Sequence, residues 1–331
     1  MPTIWCSTMT NLPAIGGYFE LELPAPSGAY HGQALALQSA RAALLLLLQQ
    51  ARPSALWLPW YLCQSMLEPL QSCGIPIHRY RLDAQLHPAE LPTLGAGEWL
   101  LYVNYFGLCD GAIAPLLAHY GPERVIIDHS QAFYAPAQNC LANIYSPRKF
   151  FGVPDGGYLY SSIKLTPPSE QDQASVARCS HLLTRLNAAP EPGYAAYAAN
   201  EAGLSGQPPR RMSALTERLL QQLDYAGISA RRRANYRYLA QHLAARNQLA
   251  LDCSSAATPL CYPLQLSAGS AARLRPALQA QRIYSPHYWP EVARLEGLPA
   301  VEARLVHDTL FLPCDQRLGQ PELDRIVAAV A

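Results

Sequence analysis

Lysine is nearly absent from this chain. Of its 25 basic residues only Lys149 and Lys164 are lysines, and the rest are arginine. Arginine keeps its proton near neutral pH, so these two side chains are the ones whose free amine could act as a nucleophile and form a Schiff base. Charge of any kind is scarce at 15% of residues, with a formal net charge of +1 and no basic stripe or acidic tail. That balance argues against nucleic acid as the principal partner. The nine cysteines (Cys6, Cys63, Cys73, Cys109, Cys140, Cys179, Cys253, Cys261, Cys314) are scattered and never spaced as CxxC. They resemble neither a zinc cage nor a disulfide framework, and a reduced cytoplasm is the simpler setting. Long hydrophobic runs are missing too. Ala42 to Leu48 is very apolar but bounded by Arg41 and Gln49, far short of the roughly 20 residues a bilayer needs. It lies too far into the chain and lacks the flanks of a signal peptide, so a buried core helix is expected. No membrane partner is expected.

What is present is ample apolar mass. Half of the 331 residues are apolar, enough for about two domains. The first 30 residues, rich in Pro, Gly and aromatics, predict an irregular arm. From Ser39 to about Ile163, short apolar runs alternate with helical stretches. Strands are predicted at Ala55–Pro59, Ile75–Tyr80, Trp99–Asn104, Val125–Asp128 and Tyr158–Ser161, with a helix from Cys63 to Ser72. Strands separated by helices on short links indicate a mainly parallel α/β sheet. Ligands in such sheets bind beyond the carboxyl ends of the strands, where Pro59, Asn104 and Asp128 fall. Residues 165–210 read as a helix-containing connector, and Met212 to about Ala250 as one long helical region with Leu215, Leu219, Leu220 and Leu223 on one face. Arg231-Arg232-Arg233 within it predicts a solvated face. The remainder reads strand (Leu260–Leu266), helix (Ser270–Gln281), short strand (Arg282–Ser285), strand (Thr309–Leu312) and helix (Pro321–Val330). The expected division is an arm over 1–30, a large domain over 31–225 and a small α/β domain over 226–331.

Three constellations carry chemistry. Leu37-Gln38-Ser39-Ala40-Arg41-Ala42-Ala43-Leu44 is a small-residue turn opening a helix, either an anion site or a plain Ser39 N-cap. In Val125-Ile126-Ile127-Asp128-His129-Ser130-Gln131, an aspartate ends an apolar strand. Burial there is costly without a cationic partner such as a protonated pyridinium nitrogen, the alternative being a loop cap. Lys149 stands in Ser146-Pro147-Arg148-Lys149-Phe150-Phe151-Gly152-Val153-Pro154-Asp155-Gly156-Gly157, where the glycine pair suits either close backbone approach or a turn. An ordinary surface lysine is the plain alternative. His287, between aromatics, could line a substrate pocket or simply pack; packing alone is the expectation for His129, Tyr194 and Tyr197.

An anion nest, an aspartate for a ring nitrogen and a lysine, in that order, describe a pyridoxal phosphate (PLP) site. The chain here resembles the DegT/StrS-type family of PLP-dependent sugar aminotransferases, of fold type I. The family's Ser-Gly-Thr-x-Ala-Leu turn stands as Ser39-Ala40-Arg41-Ala42-Ala43-Leu44, and its Pro-x-Tyr-Thr segment as Pro59-Trp60-Tyr61-Leu62. Its strand ending His-x-Tyr-Gly resembles Asn104-Tyr105-Phe106-Gly107, and its Asp-x-x-Gln pair is Asp128 and Gln131. Lys149 lies seven residues before Gly156, as the family's lysine lies before its glycine pair. Arg211-Met212-Ser213 resembles the family's Arg-Met-Ser.

The resemblance implies a large domain with a mainly parallel sheet, a smaller C-terminal α/β domain, and a homodimer. It implies that Lys149 holds the cofactor and moves the proton, while Asp128 keeps the pyridine nitrogen protonated. Ser39, Ala40 and Arg41, with Ser146, would hold the phosphate; Gln131 would contact the phenolic edge, and Tyr61 and Asn104 would border the ring. The donor implied is glutamate or glutamine and the acceptor a keto-sugar, in surface polysaccharide or amino-sugar biosynthesis. The chain departs from the pattern at Arg41 (threonine in the family), Cys63 (an aromatic, leaving Trp60 or Tyr61 to stack), Ile144 (a serine), Asp155 (glutamate) and Pro209 (the asparagine that reaches the neighbouring subunit, with Asn200 or Gln207 as replacements). The missing asparagine and the altered stacking position keep open another PLP enzyme on the scaffold, such as a lyase or non-sugar transaminase; a non-catalytic binding protein is the other alternative, against which Lys149, Asp128 and Gln131 together argue.

Overall fold

The computed structural model describes residues 15–251 and 254–330; Cys6, Cys253 and the start of the arm lie outside them. Residues 15–29 carry no helix or strand, as expected of an arm, and are tied down where Ser27 Oγ donates to the Gln221 carbonyl at 2.9 Å.

Among the described residues, nine strands form two sheets. The large one contains β1 (Leu35–Leu37), β2 (Ala55–Pro59), β3 (Ile77–Tyr80), β4 (Glu98–Val103), β5 (Val125–His129), β6 (Ala142–Tyr145) and β7 (Gly157–Ser161), in the order β1-β7-β6-β5-β4-β2-β3. The block β3-β2-β4-β5-β6 is parallel, while β7 runs antiparallel to β6 and β1 antiparallel to β7. Strands of such a sheet are buried on both faces, which explains why Leu100–Val103 and Val125–Ile127 are unbroken apolar runs. The small sheet pairs β8 (Cys261–Gln265) with β9 (Thr309–Pro313) antiparallel. Residues 282–285, expected as a short strand, form none. They lie in a loop that Arg282 enters with φ +59° and Trp289 leaves with φ +52°.

Helix α1 (Ala40–Ala51) is the expected core helix, with Ala42 to Leu44 and Leu46 to Leu48 buried. Helix α2 (Gln64–Cys73) packs on α1, and α3 (Ile113–Tyr120) packs on β5. The connector holds α4 (Ser175–Arg178), α5 (Ser180–Asn187) and α6 (Tyr194–Gly203). The long helical region expected from Met212 is broken in two: α7 (Ala214–Leu220) closes at Gln221, and α8 (Tyr225–Leu243) starts afresh at Asp224, which caps it by accepting from the Gly227 amide. Helices α9 (Ser270–Ala280), α10 (Ala300–His307) and α11 (Gln320–Val330) complete the chain. One cluster of α8, β8, α9, β9 and α11 side chains forms a separate core, with Leu239, Leu264, Leu310 and Leu312 fully buried. No helix among the described residues is long and apolar enough to cross a membrane.

The expected solvated face at Arg231–Arg233 is corrected at its centre. Arg232 is 2% exposed, because α8 turns that position inward, where the carbonyls of Phe150, Pro259 and Leu260 take up its donors.

Candidate active site

Parallel pairing aligns the carboxyl ends of three central strands. Val103 sits opposite Asp128, and Asp128 opposite Ile144, so Asn104, Asp128 and Ser146 emerge along one edge. Strand β7 begins, rather than ends, at this edge, and brings the glycine pair there. The Gly156 amide donates to the Gln38 carbonyl at 2.7 Å. Gly156 has φ +123°, and a Cβ at Gly157 would fall 2.2–2.5 Å from backbone atoms of Ser39 and Ala40. The glycines therefore serve close approach: strand β7 lies against the opening of α1. The three constellations separated in sequence meet here.

Lys149 ends a single 3-10 turn, Pro147–Lys149, closed by the Phe150 and Phe151 amides donating to the Pro147 carbonyl at 3.0 and 2.9 Å. Its side chain is exposed, with Nζ 5.8 Å from the ring centroid of Tyr288. Asp128 is buried and accepts from the Ser130 amide at 2.8 Å. Burial pushes its carboxyl above the usual range, against the pull of Ser130 and of the Lys149 charge. A carboxylate so placed calls for a cation in contact.

Gln131 is buried, with Oε1 accepting from the Phe106 amide at 3.0 Å and Nε2 without a partner among the described residues. Ser39 does act as the cap of α1, its Oγ accepting from the Ala42 amide at 3.0 Å. The amides at the start of that helix still present a positive dipole end. Ser146 lies in the same edge, 8% exposed.

Three expected site residues have side chains committed elsewhere. Arg41 points to α2, donating through Nε to the Ser65 carbonyl and pairing with Glu68 at 3.3 Å, while its Nη1 stays buried without a partner among the described residues. Asn104 stitches its own loop: Oδ1 accepts from the Cys109 amide, and Nδ2 donates to Asp110 at 2.5 Å. Tyr61 is fully buried between Tyr105 and Trp289, its hydroxyl donating to the Tyr288 carbonyl at 3.3 Å. Of the replacements for the missing asparagine, Asn200 donates to the Pro154 carbonyl at 3.1 Å, and Gln207 accepts from Arg210 at 3.0 Å.

His129 packs as expected, stacked on Tyr145 at 4.8 Å, and burial lowers its pKa to about 3, so it is neutral. His287 is held to the Val306 carbonyl at 2.9 Å. Tyr194, expected to pack, is instead 69% exposed.

The sequence reading missed how two of its own motifs join. Asp155 is fully buried and accepts from the Ser213 amide at 3.0 Å, the Ser213 hydroxyl at 2.9 Å, and the Thr216 hydroxyl. The acid before the glycine pair thus anchors the Arg-Met-Ser segment. Tyr288 was missed as a site residue because its loop, remote in sequence, is brought in by packing on Phe106 and Phe311.

The residues fit pyridoxal phosphate on two structural grounds. A buried carboxylate with no cation in ion-pairing contact among the described residues stands at the strand edge, and a buried amide donor on Gln131 lacks a partner beside it. Asp128 would take the ring nitrogen, Gln131 the phenolic side, the start of α1 the phosphate, and Lys149 the aldehyde carbon.

No family model matches the sequence, and no curated protein is similar to it at sequence level. Similarity to solved structures is extensive. A DegT DnrJ EryC1 StrS aminotransferase from Brucella abortus superposes with a TM-score of 0.58 at 15% identity, covering 92% of this chain and 86% of that one. The sugar aminotransferase CalS13 from Micromonospora echinospora gives 0.61 at 14% identity, covering 90% and 87%. NtdA from Bacillus subtilis, with bound cofactor PMP, gives 0.64 at 14%, covering 90% and 72%. The fold is that of the fold type I aminotransferases of the DegT/StrS type.

Proposed function

We propose that this chain is a PLP-dependent aminotransferase that moves an amino group from glutamate or glutamine to a keto-sugar, in surface polysaccharide or amino-sugar biosynthesis. The observation that carries the reading is the meeting of Lys149, Asp128 and the α1 opening at one sheet edge, on a fold shared with sugar aminotransferases. When bound, pyridoxal phosphate supplies an electron sink for the carbanion formed on the donor. Asp128 holds the proton on the ring nitrogen, so that sink stays available. Lys149 anchors the cofactor through its amine and then carries the proton to and from the substrate carbon. The helix opening binds the phosphate, with Ser39, Ala40 and Arg41 contributing amides and Ser146 a hydroxyl.

The working form is a homodimer in the cytoplasm, with a large domain through residue 225 and a small one after it. Support for the dimer comes from the apolar side chains exposed on the connector, among them Val176, Leu183 and Leu186; the seven described cysteines, all free thiols, suit a reducing compartment.

The test is a visible absorption spectrum of the purified protein with added pyridoxal phosphate, before and after glutamate. A yellow band that shifts to the pyridoxamine form establishes the half-reaction. A band that ignores amino donors points to another PLP chemistry on this scaffold. No band at all moves the chain to a non-catalytic binding protein.

A further inference from the structure

A buried arginine with its charge facing carbonyls rather than a carboxylate is costly unless it organises something. Arg232, from the middle of α8, is such a residue. Nη1 reaches the Pro259 and Leu260 carbonyls at 3.3 and 3.2 Å, and Nη2 the Phe150 carbonyl at 3.4 Å. Nε donates to Gln316 Oε1 at 2.9 Å, and the guanidinium lies 4.6 Å from the centroid of the Phe150 ring. Gln316 turns its own amide onto the same Phe150 carbonyl at 2.9 Å. One turn further along α8, Asn235 Nδ2 donates to the Asp315 carbonyl at 2.9 Å and so fixes the loop bearing Gln316.

Phe150 is the residue after Lys149. Its carbonyl is thus gripped by two side chains from the C-terminal third of the molecule, while its amide closes the turn on Pro147. Tyr288, from another C-terminal loop, stands beside the lysine amine. We infer that Arg232, acting with Gln316, is a positioning residue: it clamps the backbone behind Lys149, so that the C-terminal part of the chain sets where the amine points. This rests on the reading of Lys149 given above. It assigns a role to a position that composition alone places on a solvated face.

The test compares wild type, Arg232→Lys and Gln316→Leu in two measurements. The first is amide hydrogen exchange of the cofactor-free protein over residues 147–153. Loss of the clamp is expected to speed exchange there at least tenfold, with other segments unchanged. The second is the pH midpoint of the visible band after adding pyridoxal phosphate, expected to move by about one unit while borohydride still traps the cofactor on Lys149. Gln316 is only part-buried, so its variant decides the matter if Arg232→Lys does not fold. Wild-type exchange and a wild-type midpoint in Gln316→Leu overturn the inference. Trapping on Lys164, or no trapping in the wild type, overturns the reading of Lys149 instead; the exchange comparison still reports on the clamp.

Discussion

The α-carbon of Gly157 lies against the peptide that joins Ser39 to Ala40, so closely that a Cβ would meet the Ser39 carbonyl carbon at 2.2 Å and the Ala40 nitrogen at 2.5 Å. Both neighbours are backbone, which has no rotamer to yield. Gly157→Ala is therefore expected to push β7 away from α1 and destabilise the fold by about 1–3 kcal/mol. Urea denaturation measures the loss, and a drop in pyridoxal phosphate affinity larger than that in an exposed-glycine control such as Gly203→Ala marks the anion site as its victim.

Asp128 predicts opposite effects on stability and on binding. Burial raises its carboxyl, so the stability that comes from proton uptake is present at acid pH and lost as pH rises through the raised pKa. Asp128→Asn removes that loss. The cofactor-free variant should match wild type in acid and exceed it once the pH has risen through that raised pKa. Cofactor affinity should fall by roughly two powers of ten, the cost of a buried charge losing its partner (about 3 kcal/mol). Equal affinity in the variant would show that no ring cation sits on Asp128.

Lys149→Ala is expected to abolish borohydride-reducible attachment and leave thermal stability unchanged, since the side chain is exposed and its turn is held by backbone bonds. Mass spectrometry of the reduced, digested protein reads the outcome. Attachment that persists at Lys164 would remove Lys149 from the mechanism.

Acid sensitivity should come first from histidine. Burial lowers His31 to about 4 and His129 to about 3, below the ordinary 6.5. Well above pH 6.5 both rings are neutral in either state and their contribution to stability is flat. Below it the unfolded chain takes up protons that the fold refuses, so stability falls as pH drops toward the folded values. The slope is about 1.4 kcal/mol per pH unit per ring. Urea midpoints between pH 7.5 and 5 test this, and His31→Phe should remove its share of the slope.

Strands β2, β4 and β5 are legible because burial on both faces writes them as continuous apolar runs, and Asp128 stands out as the polar residue ending one. Strand β6 hides behind Asn143, a polar residue in a buried strand whose amide is satisfied by the Gln138 backbone five positions earlier. Strand β1 is three residues long and exists through its pairing with β7. Arg232 looks like its two neighbours in sequence, and only the carbonyls of residues far along the chain distinguish it. In the same way nothing near Asp155 announces Ser213 and Thr216, some 60 positions on. What periodicity conveys is local; the site depends on long-range partners.

The antiparallel turn from β6 into β7 has a mechanical consequence. Residues 146–156, which carry Lys149, are fastened at both ends to neighbouring strands of one sheet, with Tyr145 paired directly to Tyr158. Such a hairpin has its length fixed by its register. One added residue must either bulge at the lysine or slide β7 by one place, and a slide would turn every side chain of that strand to the opposite face. The span holding Lys149 is thus a ruler cut to length.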